Sequence, residues 1–115
     1  MRKLVLGISL LALWACTKQE FRSSSLQEAE AQALMDSHPD SAVSWLETQI
    51  RLNPKKQAAW TYKMLGTYYM QSGDNERAAS YYFEALAKYQ EAKDTAGMAA
   101  IYLNLTNVED LDGSK

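Results

Sequence analysis

The chain has 115 residues and a formal net charge of −2, with 12 basic and 14 acidic side chains. It contains one histidine and one cysteine, so an internal disulfide cannot form and a histidine-rich metal centre cannot be assembled. The acidic balance argues against nucleic-acid binding, because phosphate recognition needs a clustered basic face and the only adjacent basic pair beyond the first 15 residues is Lys55-Lys56. We therefore expect one small domain with no cofactor, no metal and no nucleic-acid partner.

The amino-terminal residues are predicted to form an export signal. A basic start at residues 1–3 precedes an apolar run at residues 4–14, which is too short to act as a stop-transfer helix. The run ends in LWAC, and this ending resembles the lipobox of bacterial lipoproteins, in which cleavage before Cys16 leaves its thiol to carry diacylglycerol. The alternative is an ordinary secretory signal with a chance cysteine. The resemblance implies a signal peptide at residues 1–15 and a palmitate-type lipid attachment at Cys16.

The mature chain is expected to begin with a polar tether, residues 16–25, followed by a helix over residues 26–36. Its apolar stripe is predicted to bury four residues: Leu26, Ala29, Ala33 and Leu34. Pro39 should break this helix, because proline does not continue a helix interior, and Asp40 or Ser41 should cap a second helix over residues 42–52.

A second helical hairpin is predicted from residue 59 to residue 92. Its first arm runs to about Gln71 and buries residues at helical spacing, namely Tyr62, Leu65, Gly66 and Tyr69. Gly73 can take the left-handed conformation that closes a helix, and Asp74 or Asn75 can cap the next one. The return arm repeats the spacing with Ala78, Tyr82, Ala85 and Leu86. Small Gly66 is expected to face Ala78 and Ala85, which would let the arms approach closely.

This hairpin resembles the tetratricopeptide repeat, whose pattern is W-x2-L-G-x2-Y, A-x3-F, P. The matching residues are Leu65, Gly66, Tyr69 and Ala78, with Tyr62 and Tyr82 as aromatic substitutes and Gln90 at the proline position. A first, degenerate repeat places Ala42, Leu46, Ile50 and Pro54 at corresponding positions. The resemblance implies an all-α fold of about five helices, with repeat 1 at residues 26–54, repeat 2 at 59–92, and a partial repeat or capping helix at 95–112.

The last helix should begin near residue 96 behind a cap at Asp94 or Thr95. It is apolar over a wide arc, formed by Met98, Ile101, Tyr102, Leu105 and Val108. This arc favours either a cap that offers a second face to a partner or the start of a further repeat.

The sequence gives little support for an enzymatic function, because His38 lies in a proline turn without a nucleophilic partner. In tetratricopeptide domains the first-arm helices line a binding groove. The resemblance places in it Trp60, Lys63, Thr67, Met70, Gln71, Asn104 and Asn107. Lys63 would orient an acidic or carboxylate group. The alternative for Trp60 is packing against the first repeat.

Three functional classes stay open. The first is a lipid-anchored adaptor that binds a protein or peptide at a bacterial membrane, either the outer membrane facing the periplasm or the cell surface. The second is a structural subunit that self-associates through its last helix. The third is the sensory amino-terminal part of a longer regulator.

Overall fold

The computed structural model describes residues 26–113, with side chains described as far as residue 108. In this range the chain is helical and has no strand. Helix α1 covers residues 26–37, α2 Pro39–Leu52, α3 Ala59–Gln71, α4 Asn75–Glu91 and α5 Thr95–Gly113, with a short 3-10 helix at Pro54–Lys56. The all-α expectation is confirmed. The signal peptide, Cys16 and the tether lie outside the described residues. Within residues 26–113, every helix is too short or too polar to cross a bilayer.

The junction between α1 and α2 is tighter than the sequence suggested. A single residue, His38, separates the helices, and Pro39 occupies the first turn of α2 instead of a loop. Proline fits there because the backbone amides of a helix's first turn have no hydrogen-bond partner within the helix. The missing N–H of proline therefore removes no helical hydrogen bond. The predicted cap by Asp40 or Ser41 is therefore wrong. His38 is the N-cap residue, and within the described chain its side chain makes no capping bond.

The buried face of α1 also differs from the predicted one. Ala31 is buried and Met35 is half-buried, whereas Leu26 is 59% exposed and Ala29 and Ala33 are exposed as well. Of the predicted stripe, Leu34 alone is partly buried. Two stripes of this helix are about equally apolar in sequence. The face that packs on the core is the one that carries Ala31 and Met35.

Helices α3 and α4 form the hairpin as predicted, with every residue of the first-arm stripe buried. The closest contact of Gly66 across the hairpin is with an aromatic ring. A Cβ built on Gly66 would lie 2.8 Å from the ring of Tyr82, which is fully buried. Gly66 thus makes room for this ring, which stands in sequence between Ala78 and Ala85, the two residues that Gly66 was expected to face.

Two turns of the same geometry connect α3 to α4 and α4 to α5. In the first, the amide of Asp74 donates to the carbonyl of Tyr69 at 2.9 Å, and the Asp74 side chain accepts from the amide of Arg77 at 3.1 Å. In the second, Asp94 bonds to the carbonyl of Tyr89 at 2.9 Å and caps a backbone amide of α5 at 2.9 Å. The predicted caps at these two aspartates are confirmed.

The last helix packs on α4 through another glycine and tyrosine pair. A Cβ on Gly97 would clash with the ring of Tyr89. Further along α5 the buried residues are Ile101, Leu105 and Val108. Tyr102 is 55% exposed, so the apolar arc is split between the core and the surface.

Candidate ligand-binding groove

A groove of about 510 Å³ lies between α1 and α3. We call it the α1–α3 groove. Its lining residues are Glu28, Gln32, Met35, Asp36, Pro39, Trp60, Lys63, Met64, Thr67, Tyr68, Gln71 and Ser72. The structure therefore brings together four of the predicted site residues on α3: Trp60, Lys63, Thr67 and Gln71.

The other three predicted residues lie elsewhere. Met70 packs against the core, with its sulfur 4.0 Å from the hydroxyl of Tyr82. On α5, Asn104 is half-buried and Asn107 is exposed, and both lie outside the α1–α3 groove. The groove is thus lined by α1, the start of α2, α3 and Ser72, and α5 does not line it.

Trp60 stands at the start of α3, where several cavities meet. Its ring packs against the hydrophobic core and also lines the groove, so both expectations for this residue describe part of its environment. Its Nε1–H is buried and has no acceptor among residues 26–113. An unpaired buried donor costs about 1–3 kcal/mol.

Thr67 and Lys63 have different roles in the α3 wall. The Thr67 hydroxyl donates to the Lys63 carbonyl at 3.0 Å and shares a hydrogen bond with the Tyr82 hydroxyl at 2.9 Å. Its polar atom is therefore engaged inside the protein. The Lys63 side chain is half-exposed and has no carboxylate within ion-pair distance in the described part of the chain, so its ammonium group is available to a ligand.

The opposite wall carries acidic residues that the sequence reading did not select. Glu28 and Asp36 both line the groove and are exposed. Asp36 accepts one hydrogen bond, from the Gln32 amide at 3.0 Å. The signal that could have found this wall is the charge pattern of α1, because residues 26–37 contain acidic residues and no basic one.

A second cavity of about 730 Å³ adjoins the groove. We call it the turn cavity, because the turn between α4 and α5 forms one side of it. It shares Glu28 and Trp60 with the α1–α3 groove, so the two are continuous around these residues. It also contains Tyr89, whose pKa is raised by burial and by the nearby carboxylates of Glu28 and Asp94. Glu28 and Asp94 also line this cavity.

A cluster of tyrosines ties α2 to the α3–α4 hairpin away from the groove. The Tyr69 hydroxyl donates to one oxygen of Glu47 at 2.9 Å, and the Tyr81 hydroxyl donates to the other at 2.8 Å. The two rings stack with centroids 5.7 Å apart, and the Arg77 guanidinium lies 5.4 Å from the Tyr69 ring centre. Both Glu47 oxygens are thus occupied. Sequence reasoning missed Glu47, and its role is to join helices.

Residues suited to metal or acid–base chemistry do not converge in the described part of the chain. No group of three His, Cys, Asp or Glu side chains within residues 26–113 could hold a metal ion. His38 is exposed at the junction between α1 and α2. The geometry of the groove suits non-covalent binding: an aromatic floor, two flexible methionines, and charged groups on both walls.

Comparison with known proteins found no matching family model, no similar curated protein and no similar solved structure. The chemistry of the groove itself is therefore what favours one function over another.

Proposed function

We propose that this protein is a lipid-anchored adaptor built from tetratricopeptide-like hairpins, which holds a segment of another protein in the α1–α3 groove. The observation that carries the proposal is Trp60, a large aromatic residue that lines the groove at the start of α3. Tryptophans in such positions often dominate binding energy, at about 2 kcal/mol or more. The proposed location is a bacterial membrane, with the domain in the periplasm.

The packing of the α3–α4 hairpin supports the tetratricopeptide-like part of the proposal. The residues at its motif positions, Leu65, Gly66, Tyr69, Ala78 and Tyr82, are all buried. Gly66 lies directly under the Tyr82 ring, so the small and the aromatic positions of the motif form one contact. The motif residues thus have a packing reason for their spacing.

The membrane anchor is proposed from Cys16, because each buried methylene of an acyl chain contributes roughly 0.8 kcal/mol and several chains hold a protein firmly. Cys16→Ser should abolish lipid labelling and maturation. Metabolic labelling with a clickable palmitate analogue, followed by membrane extraction, measures both. Equal labelling and extraction of the variant and the parent would contradict the anchor.

The binding role is tested by photo-cross-linking from the groove. A photoreactive amino acid at Gln71, an exposed groove residue, should trap the partner in cells. Trp60→Phe keeps most of the packing but removes the indole N–H, and it should reduce the trapped complex several-fold. Trp45→Phe is the matched control, since Trp45 lies on α2 outside this groove and is 46% exposed. Equal yields from both variants would argue against a Trp60-centred site.

Self-association is a second candidate, favoured by exposed apolar residues near the carboxyl-terminal side of the domain. Leu103 is 69% exposed on α5, beside exposed Tyr102, and Phe83 on α4 is 58% exposed. Size-exclusion chromatography with light scattering would detect a dimer, and Leu103→Asp should dissociate it. A monomer at every concentration would leave the adaptor as the supported role.

A further inference from the structure

The two walls of the α1–α3 groove carry unequal charge. The α1 wall contributes Glu28 and Asp36, and the α3 wall contributes Lys63 as its single charged residue. In the described chain no ion pair joins Lys63 to either carboxylate, so the acidic wall is not neutralised from across the groove. A ligand in the groove therefore meets an excess of negative charge, located on α1.

The turn cavity continues this lining beyond Trp60 with charges of both signs. It adds the carboxylates of Glu91 and Asp94 and the ammonium groups of Lys55 and Lys88. The Lys88 ammonium donates to the carbonyls of Pro54 and Lys55 at 3.4 Å each. The excess of negative charge therefore lies in the α1–α3 groove, on α1.

The uncharged part of the lining describes the rest of the ligand. Met35 and Met64 flank the groove, and methionine side chains adapt to apolar groups of different shape. Trp60 adds an aromatic surface. Apolar side chains alternating with charged ones match these features.

We infer that the groove selects an extended, positively charged peptide segment. Its Lys or Arg side chains pair with Glu28 and Asp36, and an apolar side chain lies against Trp60. The inference rests on the proposed adaptor function and specifies its ligand. It departs from the expectation that Lys63 would recruit an acidic group, because the carboxylates outnumber Lys63 in the groove.

The test measures binding of two defined probes to the full chain in phosphatidylcholine nanodiscs. One probe is a fluorescein-labelled hexapeptide of alternating lysine and leucine between terminal glycines, and the other has glutamate in place of lysine. Fluorescence anisotropy should show the lysine peptide binding about tenfold more tightly at low ionic strength, with the advantage shrinking as salt screens the charges. Equal affinity, tighter binding of the glutamate peptide, or no binding of the lysine peptide would overturn the inference.

Charge variants locate the effect. Glu28→Lys with Asp36→Lys should reverse the preference between the two probes. Glu76→Lys with Glu84→Lys is the matched control, because it changes the net charge equally at exposed positions on α4 outside both cavities. If the control reverses the preference as well, the selection comes from overall charge and the inference fails.

The charge preference of the groove and the adaptor function can be contradicted by separate results. Probe binding that needs Trp60 but shows no charge preference would remove the charge inference and leave the adaptor function standing. Absence of any Trp60-dependent complex in the cross-linking experiment would remove the adaptor function itself.

Discussion

The two hairpins of this domain hold together in different ways. The α3–α4 hairpin has a ring-on-glycine contact between Gly66 and Tyr82, and its turn ends in an aspartate cap at Asp74. The α1–α2 hairpin turns at His38 without a side-chain cap within the described residues, and α1 buries little more than Ala31. The comparison teaches that the second hairpin is specified by its own packing, whereas the first depends on its neighbour.

Specific side-chain bonds supply that dependence. Glu47 of α2 accepts from Tyr69 on α3 and from Tyr81 on α4, so one carboxylate ties three helices. Tyr62 adds a bond of 3.3 Å to the Pro54 carbonyl in the linker between the hairpins. These bonds hold α2 and the linker against the second hairpin, and α1 is joined to α2 through the single residue His38.

Of the changes considered, Gly66→Leu should destabilise the α3–α4 hairpin most. A β-carbon there would lie 2.8 Å from the Tyr82 ring, so the arms must separate. Overpacking of this kind costs about 3 kcal/mol, and urea unfolding followed by circular dichroism measures it. An unchanged melting temperature would mean that the hairpin does not rely on this contact. Thr106→Leu, at an exposed position of α5, serves as the control.

Glu47→Ala should weaken the junction between the hairpins. It removes two hydrogen bonds to a charged acceptor, for an expected loss of about 2 kcal/mol. Hydrogen exchange should rise in α1 and α2 more than in α3 and α4, because the second hairpin keeps its own core. A uniform rise across the domain would show instead that the two hairpins unfold as one unit. Glu84→Ala, on the exposed face of α4, is the control.

The α3–α4 and α4–α5 turns have the same geometry and can be compared directly, although the expected effects on stability are smaller. Gly73 has a φ of +86° and Lys93 has a φ of +56°, so the second turn places a side chain in the left-handed region. That conformation costs a non-glycine residue about 1 kcal/mol. Lys93→Gly should therefore be neutral or stabilising, and Gly73→Lys should destabilise by about 1 kcal/mol. Thermal melts of both variants measure the difference, and equal losses would contradict the shared turn geometry.

Raising the pH should have the smallest effect on stability of the changes considered. The loss should be slight near neutrality and should grow as the pH becomes alkaline. Burial and the bond to Glu47 raise the pKa of Tyr81 above its ordinary value of 10.0. Above that value the unfolded chain loses the proton first, so the contribution of Tyr81 is complete below about pH 10 and is lost as the pH rises through its folded pKa. Tyr81→Phe should flatten the stability profile above about pH 10. An unchanged slope would mean that Tyr81 is not the responsible group.

Local sequence signals predicted the second hairpin well. Helical spacing identified its buried stripe, and the glycine and aspartate of its turn have the predicted conformations. These signals succeed because each depends on near neighbours along the chain. Which residue faces Gly66 depends on the angle between two helices, and no local pattern contains that angle.

The groove was less accessible to sequence reasoning. The α3 residues Trp60, Lys63, Thr67 and Gln71 were found through their likeness to a known repeat, but the α1 wall was not. Its stripe was misassigned, because Leu26 and Ala29 are as apolar as the residues that actually pack. Glu28 was consequently placed away from the groove. When the sequence patterns of both surfaces that form a site are weak, the site can be identified only from the tertiary structure.

The central claim is that Trp60 anchors a ligand in the α1–α3 groove, and Trp60→Ala tests it most directly when helicity and photo-cross-linking are measured on the same sample. We predict nearly unchanged circular dichroism with loss of the trapped complex, while Trp45→Ala retains it. A variant that unfolds would contradict the claim, because Trp60 would then be a core residue joining the repeats, and the exposed face at Tyr102 and Leu103 would become the surface to examine.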